Sequence, residues 1–401
     1  MRKQTPEIFP LEATVDMSEL SALSLSASTV LEHVRSSMLA PHKVKVPPKY
    51  SSGQMTEMLG MTRGVFQYAC KKGELPEGVD NGGRKEWTLS EARQAVQKSF
   101  PNTLRNKLLS AGVVITIANF KGGVAKTSTT AALAQGLSLR GHKVLVIDVD
   151  PQGSLSTLFG VQPADIHEDE TILPLLAGTQ NSILSAVKPT YWDGVDLVAA
   201  APLLFQGEFL LPARQLREKD FEFWSVLDQG LDEAREIYDV IVIDTPPALS
   251  YITINALIAA QGVVMPLPPS TLDFSSSTQF WSLFTDVCGD LLRKSKKTKK
   301  YSFVNVLLSR VDRSEKVSTA VKQWIVKAYG DKVLPMEIPK TATAATASAG
   351  FGTVYDIDPA TADTKTLKRA LEAYDEFVDH IAFQVAGIWA ADSRRMMEKL
   401  S

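Results

Sequence analysis

Residues 115–130, ITIANFKGGVAKTSTT, restrict this chain's fold more than any other stretch. An apolar run (Val113, Val114, Ile115, Ile117) ends in a turn built on Gly122 and Gly123. Lys126 and Thr127 then open a helix-forming segment that continues over residues 131–139. Strand, loop and helix in that order make an anion cradle. Glycines let backbone N–H groups curl inward, where a side chain would block the approach. The N-terminus of the following helix adds partial positive charge, and Lys126 adds a whole one. Thr127 brings a hydroxyl suited to a magnesium ion bridging two phosphates. The stretch predicts an α/β protein that grips a triphosphate.

The strict pattern G-x-x-x-x-G-K-[ST] would place glycines at Phe120 and Ala125. This chain instead carries a second lysine, Lys121, ahead of the two glycines. The form K-G-G-x-x-K-[ST] resembles the deviant Walker A motif of the ParA/MinD ATPases. The resemblance implies that Lys121 reaches across a dimer interface to the partner's nucleotide. It also implies that Gly122, Gly123, Val124, Ala125, Lys126, Thr127 and Ser128 wrap the phosphates. Ala125 departs from the commoner family glycine.

Two more strands supply carboxylates. Residues 143–147, KVLVI, read as a strand buried on both faces, as in a parallel sheet. It ends in Asp148, Val149, Asp150, Pro151, Gln152 and Gly153, at the edge where doubly wound sheets hold their ligands. The run VLVIDVDPQGS resembles the Walker A′ motif of partition ATPases. That implies a water-orienting role for Asp150 and a place near the metal for Asp148. Residues 238–247, YDVIVIDTPP, put Asp244 at the Walker B position, where it can hold Mg²⁺ through water. Residues 262–266 read as another strand and 268–277 as a polar connection resembling the family's nucleotide-sensing switch. A strand over 303–308 leads to Ser309, Arg310, Val311 and Asp312, and by resemblance Arg310 and Asp312 face the adenine.

Upstream of residue 111 the composition differs. Residues 41–48, PHKVKVPP, read as a linker. Ser51 or Ser52 caps a short helix through Leu59, Gly60 turns the chain, and Thr62 caps a second helix from Arg63 to about Lys72. Met55, Leu59, Met61, Val65 and Tyr68 are the expected buried faces. This is a helix-turn-helix pattern, whose second helix enters the major groove. Arg63, Gln67, Lys71 and Lys72 suit phosphate and base-edge contacts. A tight turn over Asn81, Gly82, Gly83, Arg84 and Lys85 precedes Trp87 and a helical segment over 90–98, so the module resembles a MerR-like winged helix. Residues 41–110 carry 12 Lys plus Arg against 6 Asp plus Glu, in a chain of net charge −2. DNA contact must therefore come from local patches.

The rest of the chain is less specific. Residues 1–40 hold one incomplete apolar stripe (Leu20, Leu23, Leu25, Val30, Leu31, Val34), a helix that needs a partner, on its own chain or on a second subunit. Over 155–235, helices are expected at 171–176, 183–187 and 216–231 and a strand at 195–199, with Trp192 and Trp224 as packing residues. Arg293, Lys294, Lys296, Lys297, Lys299 and Lys300 form a dense basic loop, either a solvated surface or a non-specific DNA contact. In residues 336–352 Lys340 matches by position a DNA-holding cation of relatives. Residues 364–399 have amphipathic helical spacing. Two distant cysteines, Cys70 and Cys288, point to a reducing cytoplasm, and no run approaches the roughly twenty apolar residues of a membrane span.

Taken together, the fold class is an α/β P-loop NTPase with a mostly parallel sheet, plus an N-terminal winged helix-turn-helix domain. The expected divisions are an N-terminal helical segment (1–40), the winged module (41–110) and the ATPase domain (111–401). The chain resembles ParA-type partition ATPases with an N-terminal DNA-binding extension. That resemblance implies an ATP-dependent homodimer with Mg²⁺ that binds nucleoid DNA non-specifically. It further implies slow hydrolysis to ADP stimulated by a ParB-type centromere-binding partner, and repression of its own operon at an operator. It also implies a cytoplasmic, nucleoid-associated protein without a membrane role. Two alternatives stay open: a nucleotide-regulated repressor with no segregation role, and a MinD-like division-site regulator. The MinD-like reading predicts a basic membrane helix at the C-terminus, and the ending DSRRMMEKL is too short and mixed in charge for one.

Overall fold

The structure, a computed structural model, describes residues 15–39, 45–312, 314–340, 352–357 and 364–400. Much of the expected linker at 41–48, and 341–351 of the segment containing Lys340, lie outside the described residues. Met1–Lys45 and Val46–Ser401 are separate compact units. The first holds helix α1 (Met17–Leu39), started by Asp16, whose carboxylate accepts the N–H groups of Ser18 and Glu19 at 2.8 and 3.0 Å. Leu20, Leu23, Leu25 and Val30 of the predicted stripe are exposed.

The second unit opens with β1 (Tyr50–Ser51), α2 (Ser52–Leu59), α3 (Arg63–Lys71), β2 (Val79–Asn81), β3 (Arg84–Trp87) and α4 (Leu89–Ser99). Each helix starts where a cap allows it. Ser51 and Gln54 form a capping box, Thr62 accepts from Val65 N–H, and Thr88 and Glu91 form a second box. Gly60 ends α2 in the left-handed region. The three strands make an antiparallel sheet ordered β1-β3-β2. Gly82 and Gly83, both at positive φ, close the β2–β3 hairpin, and Gly83 N–H donates to Asp80 at 2.8 Å. Trp87 is the anchor: it is buried against Phe66, ring centroids 5.1 Å apart, and its indole N–H donates to Pro76 O. The expected wing is present. The expected burial of Val65 and Tyr68 is corrected: both face solvent, and Phe66, Ala69 and Cys70 form the inner face of α3. One residue of phase separates the two stripes, and Trp87, far off in sequence, decides between them.

Two arginines lock this module to the segments around the larger sheet. Arg93 of α4 is buried and donates to the carbonyls of Ser138 and His142, both at 3.0 Å, while pairing with Asp193 at 2.5 Å. Arg105 donates to the carbonyls of Arg235 (2.6 Å), Glu236 (2.7 Å) and Tyr238 (2.9 Å) and pairs with Asp239 at 3.2 Å. Both contribute to the local basic excess, yet neither belongs to a surface.

The larger sheet has eight strands in the order β11-β10-β9-β4-β8-β5-β7-β6. These are β4 (Val113–Ile117), β5 (Val144–Asp148), β6 (Lys188–Pro189), β7 (Val195–Val198), β8 (Val240–Asp244), β9 (Gly262–Leu267), β10 (Phe303–Val311) and β11 (Val333–Pro339). All neighbours are parallel except β6 against β7. Every residue of β4, β5 and β8 is buried. Alternate residues feed two cores. Val113, Ile115 and Ile117 pack on the side of α5 (Lys126–Leu139), whereas Val114 packs with the opposite cluster. That explains why these strands read as unbroken apolar runs.

Several expected element bounds are redrawn. Residues 216–231 are not one helix: a helix over Gly207–Arg217 ends there, Asp220 takes positive φ, and Val226–Gly230 starts another. Residues 268–277 are not a polar connection throughout. Ser270 caps a 24-residue helix, Thr271–Lys294, by accepting from Asp273 N–H. Strand β10 runs on through Arg310, and residues 336–339 belong to β11. The C-terminal segment is a single helix, Thr364–Leu400, with Leu367, Tyr374, Phe377, Val378 and Ile381 buried. Trp192 and Trp224 are core residues.

Candidate nucleotide site

The loop between β4 and α5 sits at the C-terminal edge of the sheet, with β8 and β9 on either side of β4. Parallel registry aligns the strand ends: Ile117 pairs with Asp244, and Asp244 with Asp148. Three segments far apart in sequence therefore bring Lys126, Thr127, Asp148 and Asp244 to one edge. Asp244 Oδ2 accepts the Thr127 hydroxyl at 2.7 Å, and Oδ1 accepts that of Thr130 at 3.0 Å. Lys126 is buried, and its Nζ donates to the Lys121 carbonyl at 2.9 Å, curling across the loop. Burial lowers the Lys126 pKa, opposed by the negative charges of Asp244 and Asp150.

The two buried carboxyls are pushed the other way. Asp148 is raised by burial and by the Asp244 charge; Asp244 is raised by burial, against the hydrogen bonds of Thr127 and Thr130. Asp148 is already occupied. Oδ2 accepts both the N–H and the hydroxyl of Ser156 at 2.8 Å, and Oδ1 accepts Asp150 N–H at 3.1 Å. It thus shapes the turn carrying Asp150, whose own Oδ1 accepts Gln152 N–H at 3.0 Å. Asp150 is half-buried at the rim.

The Lys121 side chain reaches out of the loop. Its Nζ pairs at 2.9 Å with Asp273 at the start of the helix Thr271–Lys294. Sequence reasoning missed Asp273; the S-x-x-D spacing of Ser270 and Asp273 was its signal. Ala125, the residue that departs from the motif, takes φ 73°. That is the left-handed region where glycine is at ease, so the alanine is strained. Val124 is buried, its carbonyl accepting from Ser309 Oγ at 2.9 Å; Gly122 and Gly123 are exposed and Ser128 half-buried. Arg310 also takes positive φ and donates to the Gly123 carbonyl, which puts it over the phosphate loop. Asp312 accepts from Ser314 N–H at 3.0 Å.

The DNA candidates lie elsewhere. Arg63, Gln67 and Lys71 are exposed on α3, Lys72 just after its last residue, and Arg84 and Lys85 on the hairpin that packs beside it. Lys340 is exposed and faces Asp312 and Glu315 at 3.8 and 3.9 Å. Of the expected basic loop, Arg293 and Lys294 instead form the last turn of the helix Thr271–Lys294, where Arg293 pairs with Asp290 at 3.0 Å, and Lys297 beyond it pairs with Glu222 at 2.5 Å. Among the described residues no helix is long and apolar enough to cross a membrane, and no cluster of three or more His, Cys, Asp or Glu could hold a metal.

Residues 112–296 match the family model described as an AAA domain. A chromosome partitioning protein ParA of Caulobacter vibrioides is 32% identical over 227 residues, 57% of this chain and 80% of that protein. The chain belongs to the ParA family of P-loop ATPases. A putative replication protein A of Rhizobium rhizogenes is 28% identical over 96% of this chain and 98% of its own length, so the likeness extends through the winged module. A solved partition protein covers 92% of this chain and 99% of its own with TM-score 0.63 at 18% identity, a likeness of fold. A cobyrinic acid a,c-diamide synthase from Mycobacterium smegmatis, solved with an ATP analogue and magnesium, is 28% identical over 67% of this chain and 93% of its own, TM-score 0.52. The family gives this chain an ATP-binding ATPase fold.

Proposed function

We propose that this chain is a DNA-partition ATPase that binds Mg·ATP as a homodimer and spreads DNA copies to daughter cells. The observation that carries the reading is the Thr127–Asp244 contact beside a lysine, Lys121, held outside its own loop. The hard oxygens of Thr127 and Asp244 fit magnesium, which when bound supplies charge neutralisation between the phosphates. Lys126 and the N-terminus of α5 hold the triphosphate's charge in place. Asp150 orients the attacking water, with Asp148 fixing the turn on which it rides. Lys121 leaves Asp273 and neutralises charge on the partner's nucleotide, so hydrolysis requires two subunits. Arg310 and Asp312 border the base.

In its ATP state the dimer holds nucleoid DNA non-specifically, with Lys340 among the contacts. A ParB-type partner stimulates hydrolysis and release. The winged module binds an operator through Arg63, Gln67, Lys71, Lys72, Arg84 and Lys85. The test is Lys126→Ala: ATP-dependent DNA complexes vanish in a mobility-shift assay while the circular dichroism spectrum stays that of the wild type. Complexes of wild-type affinity would sink the nucleotide assignment. The exposed cations of α3 favour a second reading, a repressor without a segregation role. Plasmid retention separates the two, because a pure repressor would alter expression but not inheritance.

A further inference from the structure

Gly64 is a glycine that the fold does not require. It is the second residue of α3, its φ is not positive, and a Cβ there would meet nothing within 4 Å. Glycine weakens an exposed helix relative to alanine. Nearby glycines differ: Gly60 caps α2 at positive φ, and a Cβ on Gly78 would strike Trp87. Beside Gly64 the helix exposes two apolar side chains, Val65 at 55% and Tyr68 at 59%. Lys72 lies one turn on, its Nζ 4.7 Å from the Tyr68 ring centroid. A bare backbone, a branched aliphatic and an aromatic ring thus form one strip on the outer face of α3. Arg63, Gln67, Lys71 and Lys72 surround it.

Protein–protein interfaces deplete charge at their centre. Here the apolar strip lies among cations, a charge pattern that complements a polyanion. The major groove offers phosphates at its walls and thymine methyl groups on its floor, and the first residues of a recognition helix reach that floor. We propose that the strip of Gly64, Val65 and Tyr68 is the base-reading surface of the winged module. Val65 and Tyr68 pack against thymine methyl groups of double-stranded DNA, and Gly64 marks the closest approach of the helix to the groove. The inference rests on the operator-binding reading above and adds which bases are read and by what.

The test begins with the full chain, without ATP, selecting from duplexes randomised over their centre. In the enriched duplex, thymines are replaced one at a time by uracil, which deletes only the methyl group. At one or two positions affinity should fall about fourfold per methyl. Val65→Ala should bind the thymine and uracil forms alike at the position that Val65 reads, and Tyr68→Ala at the position that Tyr68 reads. Gly64→Ala should melt no lower than the wild type, because alanine favours the helix, yet bind the enriched duplex about tenfold or more weakly. Uracil insensitivity at every position, or wild-type binding by Gly64→Ala, would overturn the proposal. If that happens while Arg84→Ala and Lys85→Ala still weaken binding, operator recognition stands and only this strip is wrong. If no duplex is enriched at all, both readings fall.

Discussion

The nucleotide site and the outer face of α3 hold their charges in opposite ways. At the nucleotide site the polar groups are buried and bonded to one another: Asp244 to Thr127 and Thr130, Asp148 to Ser156, Lys126 to the Lys121 carbonyl. On α3 and its hairpin, Arg63, Lys71, Arg84 and Lys85 are exposed, with no ion-pair partner among the described residues. The first arrangement is pre-organised. It trades internal bonds for bonds to one ligand, in a setting where each is strong. The second leaves charge available to any polyanion and exposed to salt. One site is therefore expected to discriminate by geometry, and the other by field and by the few apolar groups lying within it.

The largest effect at the nucleotide site is expected at Lys121. Lys121→Ala should leave ATP binding to single chains intact but abolish ATP-dependent dimers in sedimentation velocity. Hydrolysis should fall on the order of a hundredfold or more, as when a charge supplied in trans is lost. Dimers at wild-type concentration would make Lys121 an ordinary surface lysine paired with Asp273. Next comes Trp87→Ala, which empties the centre of the winged module. It should cost about 3–5 kcal/mol of that module's stability in denaturant unfolding, with nucleotide binding retained. Loss of both activities together would show that the two regions unfold as one.

A smaller effect separates the regions by pH. Asp148 and Asp244 are raised, so the native state binds their protons more readily than the unfolded chain does. Their contribution to stability is complete below the ordinary carboxylate range near 4 and is lost as pH rises through the raised values. Asp148→Asn should lower the melting temperature at acid pH, because the amide nitrogen cannot accept from Ser156 or Asp150. Its decline toward neutral pH should be shallower than that of the wild type. An identical slope would remove the buried pair as its source. Least of all, Ala125→Gly should relieve the left-handed strain for a net gain below about 1 kcal/mol, since glycine also loses more entropy on folding. Thermal melting with and without ATP reads it.

Much of the nucleotide site was legible because each part has a local signature. Apolar runs ending in aspartate gave β5 and β8, and two glycines followed by Lys126 and Thr127 gave the loop. What was hidden depends on partners distant in sequence. Arg93 and Arg105 look like any surface cation until the carbonyls they bind are in place. The phase of α3 was set by Trp87, and the helix at Thr271 was masked by a polar first turn although Ser270 and Asp273 spell its cap. Lys121 was legible as unusual, but its pairing with Asp273 was not, since nothing local links the two.

The buried arginines bear on how such proteins can be rebuilt from parts. The stretch matching the family model begins at Gly112, whose N–H donates to the Arg235 carbonyl at 2.7 Å and where a Cβ would lie 2.2 Å from the Tyr238 carbonyl. A seam cut there severs the anchorage of Arg93 and Arg105 and strips partners from the carbonyls of Ser138, His142, Arg235, Glu236 and Tyr238. Grafting a foreign N-terminal module onto this ATPase would thus require its sockets too, around residues 138–142, 193–194 and 235–239. The winged module is portable only together with the plug it fits.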